Sequence, residues 1–178
     1  MMFGMLLLYE EYSYLTSLGY FLVDLLPAMF RKLVFKVILG SWGLIDRKVY
    51  FRYSGKIHIG KKCAINRGCR FFASAHTDDK KNIVIGDHVV IGPNVTIFSA
   101  GHDPLTMELD DTYGRVTIED DVWIGGNVTI LPGITIHEGA VIGVGSVVVK
   151  DVPPFTINVE NPARVVKDRR IIEEYGEV

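Results

Sequence analysis

Residues 118–148 read IEDDVWIGGNVTILPGITIHEGAVIGVGSVV, with isoleucine at every sixth position: Ile118, Ile124, Ile130, Ile136 and Ile142, continued by Val148. The same step runs through Ile85, Ile91 and Ile97, and again through Ile59, Ile65 and Phe71. Four residues after each comes a second small or apolar residue: Cys63, Cys69, Val89, Val95, Val122, Val128, Ile134, Ala140, Ser146 and Val152. A period of six fits neither the 3.6 of a helix nor the 2 of a plain strand. It is the signature of a hexapeptide-repeat parallel β-helix, an all-β solenoid in which each hexad makes one short flat face. The isoleucine is expected to point inward and the residue four later to sit inward near a corner. The glycines that follow the isoleucine, as in Ile59-Gly60, Ile91-Gly92 and Ile124-Gly125, are expected to supply backbone conformations closed to other residues. A β-sandwich, with its period-2 alternation, does not generate this register.

Outward from the repeat, the chain divides into three parts. At 178 residues one domain is expected. Residues 1–54 form an apolar, aromatic segment, expected to be helical and kinked or broken at Pro27. It reads either as a cap over the bare strand edges of the solenoid or as a membrane-surface element with Arg31, Lys32 and Lys36 toward lipid headgroups. Charges interrupt it too often for a spanning helix, and it lacks the flanks of a signal peptide. Residues 55–167 are the β-helix, and 168–178 a charged, short helical tail. The net charge of −2 points to no nucleic-acid surface. Cys63 and Cys69 fall on inward repeat positions and read as small core residues, which makes cytoplasm the expected compartment, with the inner membrane surface open through the N-terminus.

Two insertions break the register, near 72–82 and 98–115, and a rigid scaffold carries its chemistry on such loops. The first holds His76, Asp78 and Asp79; the second opens Phe98-Ser99-Ala100-Gly101-His102-Asp103-Pro104. A histidine at a loop root can act as a general base near neutral pH. His58, His88 and His137 occupy polar hexad positions and read as surface, Asp110 and Asp111 as solvated loop charges, and His76 as either loop filler or an acceptor contact.

The ordered blocks Ile85-Gly86-Asp87-His88-Val89-Val90-Ile91-Gly92-Pro93-Asn94-Val95-Thr96, Gly101-His102, Asp121-Val122-Trp123-Ile124-Gly125 and Val144-Gly145-Ser146-Val147-Val148-Val149-Lys150-Asp151-Val152-Pro153-Pro154 resemble the left-handed β-helix acyltransferases. Within them the chain is similar to the galactoside, maltose and capsular-polysaccharide O-acetyltransferases, from about Gly55 to Lys167. The resemblance implies acetyl-CoA as acyl donor, no metal, and a homotrimer with active sites between subunits. It makes His102 the catalytic base, Asn66, Asp79 and Trp123 acceptor-binding, and Trp123, Gly126, Val144, Lys150 and Arg164 cofactor-binding. Backbone N–H groups around Gly125 and Gly126 would receive the oxyanion. No serine or cysteine forms a nucleophile motif with His102, so direct transfer is expected and not a covalent acyl-enzyme; the resemblance implies a sugar hydroxyl as acceptor, on a polysaccharide precursor or lipid-linked sugar. The alternatives are an N-acetyltransferase of an amino sugar and a non-enzymatic structural trimer. A zinc hydratase on the same scaffold would need a third histidine where Met107 stands.

Overall fold

The computed structural model describes residues 22, 23, 25, 26, 30, 33–36, 43–75 and 80–169. Three parallel sheets enclose one aliphatic core, and the chain visits them in turn. The first face stacks Leu44–Ile45, Ala64–Ile65, Val90–Ile91, Trp123–Ile124, Val141–Ile142 and Thr156–Val159. The second stacks Tyr50–Arg52, Arg70–Phe72, Thr96–Phe98, Thr129–Ile130 and Val147–Val148. The third stacks Ile57–Ile59, Ile83–Ile85, Val116–Ile118 and Thr135–Ile136, and closes with a bridge from Ile136 to Val152.

The register explains the core. Ile65, Ile91, Ile124 and Ile142 are successive partners on the first face, and all are buried. Cys63, Cys69, Val89, Val95, Val122, Val128, Ile134, Ala140, Ser146 and Val152, each four positions after an isoleucine or valine of the hexad register, are buried too. Each isoleucine removed from water contributes roughly 1.5–3 kcal/mol, so the ladders set the stability of the molecule. Both cysteines are free and donate Sγ–H to carbonyls of the next coil, Cys63 to Gly86 at 3.1 Å and Cys69 to Gly92 at 3.1 Å.

The glycines after the isoleucines have a different physical reason from the one the sequence suggests. The left-handed backbone falls three residues after the isoleucine, at Lys62, Gly68, His88, Asn94, Asp121, Asn127, Gly133, Gly139 and Gly145. The glycine directly after it is needed because neighbouring coils touch there. A Cβ at Gly92 would lie 2.6 Å from the Gly126 nitrogen, and one at Gly125 would lie 2.7 Å from the Val144 nitrogen.

The solenoid begins at Leu44, a coil before the boundary at 55 read from the sequence. Ile45, Val49 and Phe51 already hold inward positions, and Leu44–Ile45 and Tyr50–Arg52 pair with the next coil. Of the preceding segment, residues 33–36 are helical. There Phe35 is buried with its ring edge-on to Phe51 at 5.8 Å. Pro27, Arg31 and Lys32 lie outside the described residues. No helix among the described residues is long and apolar enough to cross a membrane. At the other end, Arg164–Asp168 folds back antiparallel on Thr156–Val159, so Asp168 ends a strand where a helical tail was expected to start. Residues 170–178 lie outside the described residues.

Candidate active site

Both insertions leave the solenoid at the same corner, between the second and third faces, in successive coils. The first joins Arg70–Phe72 to Ile83–Ile85, the second Thr96–Phe98 to Val116–Ile118. A knot of buried polar groups ties their roots. Asn82 Nδ2 donates to the Ser74 carbonyl at 2.8 Å, Ser99 Oγ–H donates to Asn82 Oδ1 at 2.9 Å, and Ser74 N–H donates to Ser99 Oγ at 3.1 Å. Asn82 and Ser99 are wholly buried in an otherwise apolar neighbourhood. A polar cluster at this depth persists only when its members satisfy one another.

The second insertion is a hairpin. Ala100–His102 pairs antiparallel with Asp111–Tyr113, with Asp111 opposite His102. Asp103 shapes its entry: the carboxylate accepts from Leu105 N–H at 2.9 Å, and its own N–H donates to Asp110 O at 2.8 Å. This returns the chain so that the Leu109 carbonyl lies 2.9 Å from His102 Nδ1, with Asp111 Oδ1 at 3.2 Å from the same nitrogen. A carbonyl only accepts, so Nδ1 carries the hydrogen and the lone pair of the neutral ring is on Nε2. Asp111 is therefore part of the histidine's setting, not merely a solvated loop charge.

His102, Asp111 and Thr112 form one side of a cleft of about 490 Å³. Its other walls are Phe72, Phe98, Arg52 and the small residues Ala73 to Ala75, Ala100 and Gly101. The volume falls within the range of small-ligand sites. Phe72, Phe98, Ser74, Asn82, Ser99 and Arg52 were not among the residues singled out from sequence. The available signal was position: Asn82 and Ser99 each stand at the root of an insertion, beside a residue in register.

The other candidates lie elsewhere on the solenoid. Asn66, Gly126 and Val144 follow first-face strands, at the corner between the first and second faces. There Asn66 Nδ2 donates to Ile91 O at 2.8 Å, Gly126 is buried beneath Pro93, and Val144 is exposed. Trp123 stands on the outside of the first face, 52% exposed. Lys150 follows the last second-face strand, and Arg164 opens the returning strand; both are exposed. Asp79 and His76 lie outside the described residues. Within one chain, then, His102 is not brought together with Asn66, Trp123 or the cofactor candidates. The Gly125 N–H is spent on Ile142 O at 2.8 Å, which removes it as an oxyanion donor. No group of three or more His, Cys, Asp or Glu side chains able to hold a metal occurs among the described residues.

Known proteins are similar to this chain in sequence and fold. The bacterial transferase hexapeptide (six repeats) matches residues 115–150. The galactoside O-acetyltransferase of Escherichia coli is 40% identical over 134 residues, which cover 73% of this chain and 63% of that protein. The chain thus spans less than two thirds of that relative's length. A hexapeptide-repeat acetyltransferase of Vibrio cholerae, solved in complex with acetyl coenzyme A, superposes with a TM-score of 0.75 at 30% identity, covering 90% of each chain. A maltose O-acetyltransferase of Clostridium difficile gives a TM-score of 0.75 at 34% identity, covering 93% of this chain and 89% of that one. Repeat register, coil-by-coil stacking and these likenesses together establish that the chain belongs to the hexapeptide-repeat acetyltransferase family.

Proposed function

We propose that this protein is an acetyl-CoA-dependent O-acetyltransferase that modifies a sugar hydroxyl, on a left-handed β-helix, with His102 as general base. One observation carries the reading: His102 holds its Nδ1 hydrogen against Leu109 O at 2.9 Å, which leaves Nε2 to accept a proton at the cleft wall. Nε2 takes the acceptor's O–H proton as that oxygen attacks the thioester carbonyl. The new C–O bond forms, the C–S bond breaks, and the proton passes to the departing thiolate, giving the O-acetyl sugar and free coenzyme A. The positive charge that builds on the imidazole faces Asp111 Oδ1 at 3.2 Å, which lowers its cost.

The rest of the site comes from a second copy in this reading. Leu44, Ala64, Val90, Trp123, Val141 and Ile157 form one continuous register column on the first face. Leu44 is 63% exposed, Val90 40% and Trp123 52%, an apolar stripe unusual for a solvated sheet. Burying it in a closed trimer sets Trp123 of one protomer beside the His102 loop of its neighbour, with Lys150 and Arg164 offering cations to the coenzyme A phosphates. Asn66 and Asp79 remain proposed acceptor contacts. The test is thiol release from acetyl-CoA across a panel of sugar acceptors. Acceptor-dependent release should fall by about 10²–10⁴-fold in His102→Ala with the melting temperature unchanged. Equal rates in wild type and variant would overturn the reading.

A further inference from the structure

The net charge of −2 conceals a division of charge along the solenoid. Residues 44–72, the first coil and two faces of the second, hold eight lysines and arginines against one acid, Asp46. Residues 83–169 hold five against twelve acids, so the sign reverses within the same repeat. The reversal can be followed up single corners. Where the third face meets the first, the carbonyls that accept from the next coil belong in turn to Lys61, Asp87, Asp120 and Glu138. Where the first face meets the second, the same ladder runs Arg47, Arg67, Pro93 and Gly126. On the second face Arg70 has Thr96 and then Thr129 as register partners. Arg47, Lys48, Lys61, Lys62, Arg67 and Arg70 are all exposed. The inward ladders are the same in every coil and set no sign at these outward places, so packing does not account for cations gathered at one end. The N-terminal segment meets the solenoid at that end too, where Phe35 lies edge-on to Phe51 of the first coil. It leaves Leu22, Leu25, Phe30 and Leu33 at least half exposed.

We propose that the basic first two coils dock the solenoid end-on to an anionic lipid bilayer, their cations on the lipid phosphates and the exposed apolar residues of the N-terminal segment in the interface. A single weak membrane signal gives marginal binding, whereas an apolar insertion joined to a basic patch holds a protein at the surface. The electrostatic half therefore belongs to the folded solenoid and not to Arg31, Lys32 and Lys36 alone. Docking also orients the molecule. The hairpin that carries His102 leaves the third coil, and two coil steps from the docked end amount to roughly 10 Å. The cleft then opens close to the bilayer, while the acidic coils face away from it. The docking is independent of which group the cleft transfers.

The experiment measures partition of the full chain onto phosphatidylcholine vesicles with and without phosphatidylglycerol, free of any glycolipid so that acceptor capture plays no part. We expect binding only to the anionic vesicles, and release of the wild type as salt is raised. Lys61→Gln/Lys62→Gln should lower the partition coefficient about ten- to thirty-fold, and Arg47→Gln/Arg70→Gln likewise. Arg115→Gln/Lys167→Gln has the same net charge but alters the later coils, and should bind as the wild type does. The docking is overturned if neutral and anionic vesicles bind the chain equally, or if the first two variants, with wild-type melting temperatures, still bind fully. It is overturned equally if the control pair loses as much, since net charge and not its position would then govern binding. Retention on soluble polyphosphate without any vesicle binding would make the basic end a site for a soluble polyanion and sink the membrane. Should the variants not fold, the wild type alone decides, because binding that ignores salt excludes the cationic end.

Discussion

His102 shows how one residue's chemistry is settled by atoms far from it in type. The ring's tautomer is decided by a backbone carbonyl seven residues on, Leu109, and no side-chain motif announces that contact. Cys69 makes the complementary point about burial. Its thiol is wholly buried, and desolvation pushes its pKa up from 9.0 to about 11, opposed only in part by the backbone N–H groups of Val95 and Asn94. Because the folded value lies above the unfolded one, the folded state holds its proton longer. Stability is intact below pH 9 and falls as the pH rises toward 11. Urea unfolding of wild type against Cys69→Ala should therefore diverge with pH. The wild type should lose about 2 kcal/mol more than the variant between pH 8 and pH 10.5. Parallel curves would mean that the thiol is solvated.

At the scale of elements, the solenoid and its insertions obey different rules. Strands of two or three residues hold together because each is one rung of a ladder, such as Ile91, Ile124 and Ile142. The hairpin carrying His102 has no such ladder. It is fixed at its root by Ser99, whose hydroxyl bridges Asn82 Oδ1 and the Ser74 N–H. Ser99→Ala leaves both of these buried partners short of a bond, at a cost of about 1–3 kcal/mol. Amide exchange should speed up in residues 100–102 and 111–113 and in the first insertion, while residues 118–148 stay protected. Uniform acceleration over the whole chain would show that the knot serves global stability alone.

At the scale of the molecule, a single protomer holds only part of the proposed machinery, since Trp123 stands on the first face and His102 in the hairpin that leaves the corner between the second and third. If each site is shared, two inactive variants should rescue each other. Mixed trimers refolded from equal amounts of His102→Ala and Trp123→Ala chains should regain about a quarter of wild-type activity, the share of sites that pair two intact residues. No recovery would mean that each chain works alone. The N-terminal segment offers a second whole-molecule test. Leu22, Leu25, Phe30 and Leu33 are each at least half exposed, while Phe35 packs against the first coil. A membrane-surface role predicts that the full chain floats with anionic vesicles and that removal of residues 1–43 abolishes flotation. Flotation that survives the truncation would refute this role.

The hexad period alone determined the inward ladders, the points where the insertions interrupt them and the position of His102 at the root of the second, because repetition of one local geometry needs no information from distant residues. The resemblance of the ordered blocks then pointed to the acyltransferase family. The glycine after each isoleucine was legible as a requirement, but its cause was not, since the approach of Gly92 to Gly126 exists only between coils. The same holds for the start of the solenoid at Leu44, where pairing with Ala64 had to be seen to outweigh the apolar, helix-like composition before it. Tertiary structure alone decided the tautomer of His102, the loss of Gly125 as an oxyanion donor and the knot of Ser74, Asn82 and Ser99. Each of these depends on hydrogen bonds between residues from 7 to 25 positions apart. Such contacts are created when coils stack and loops fold over them, and no local pattern in the chain encodes them.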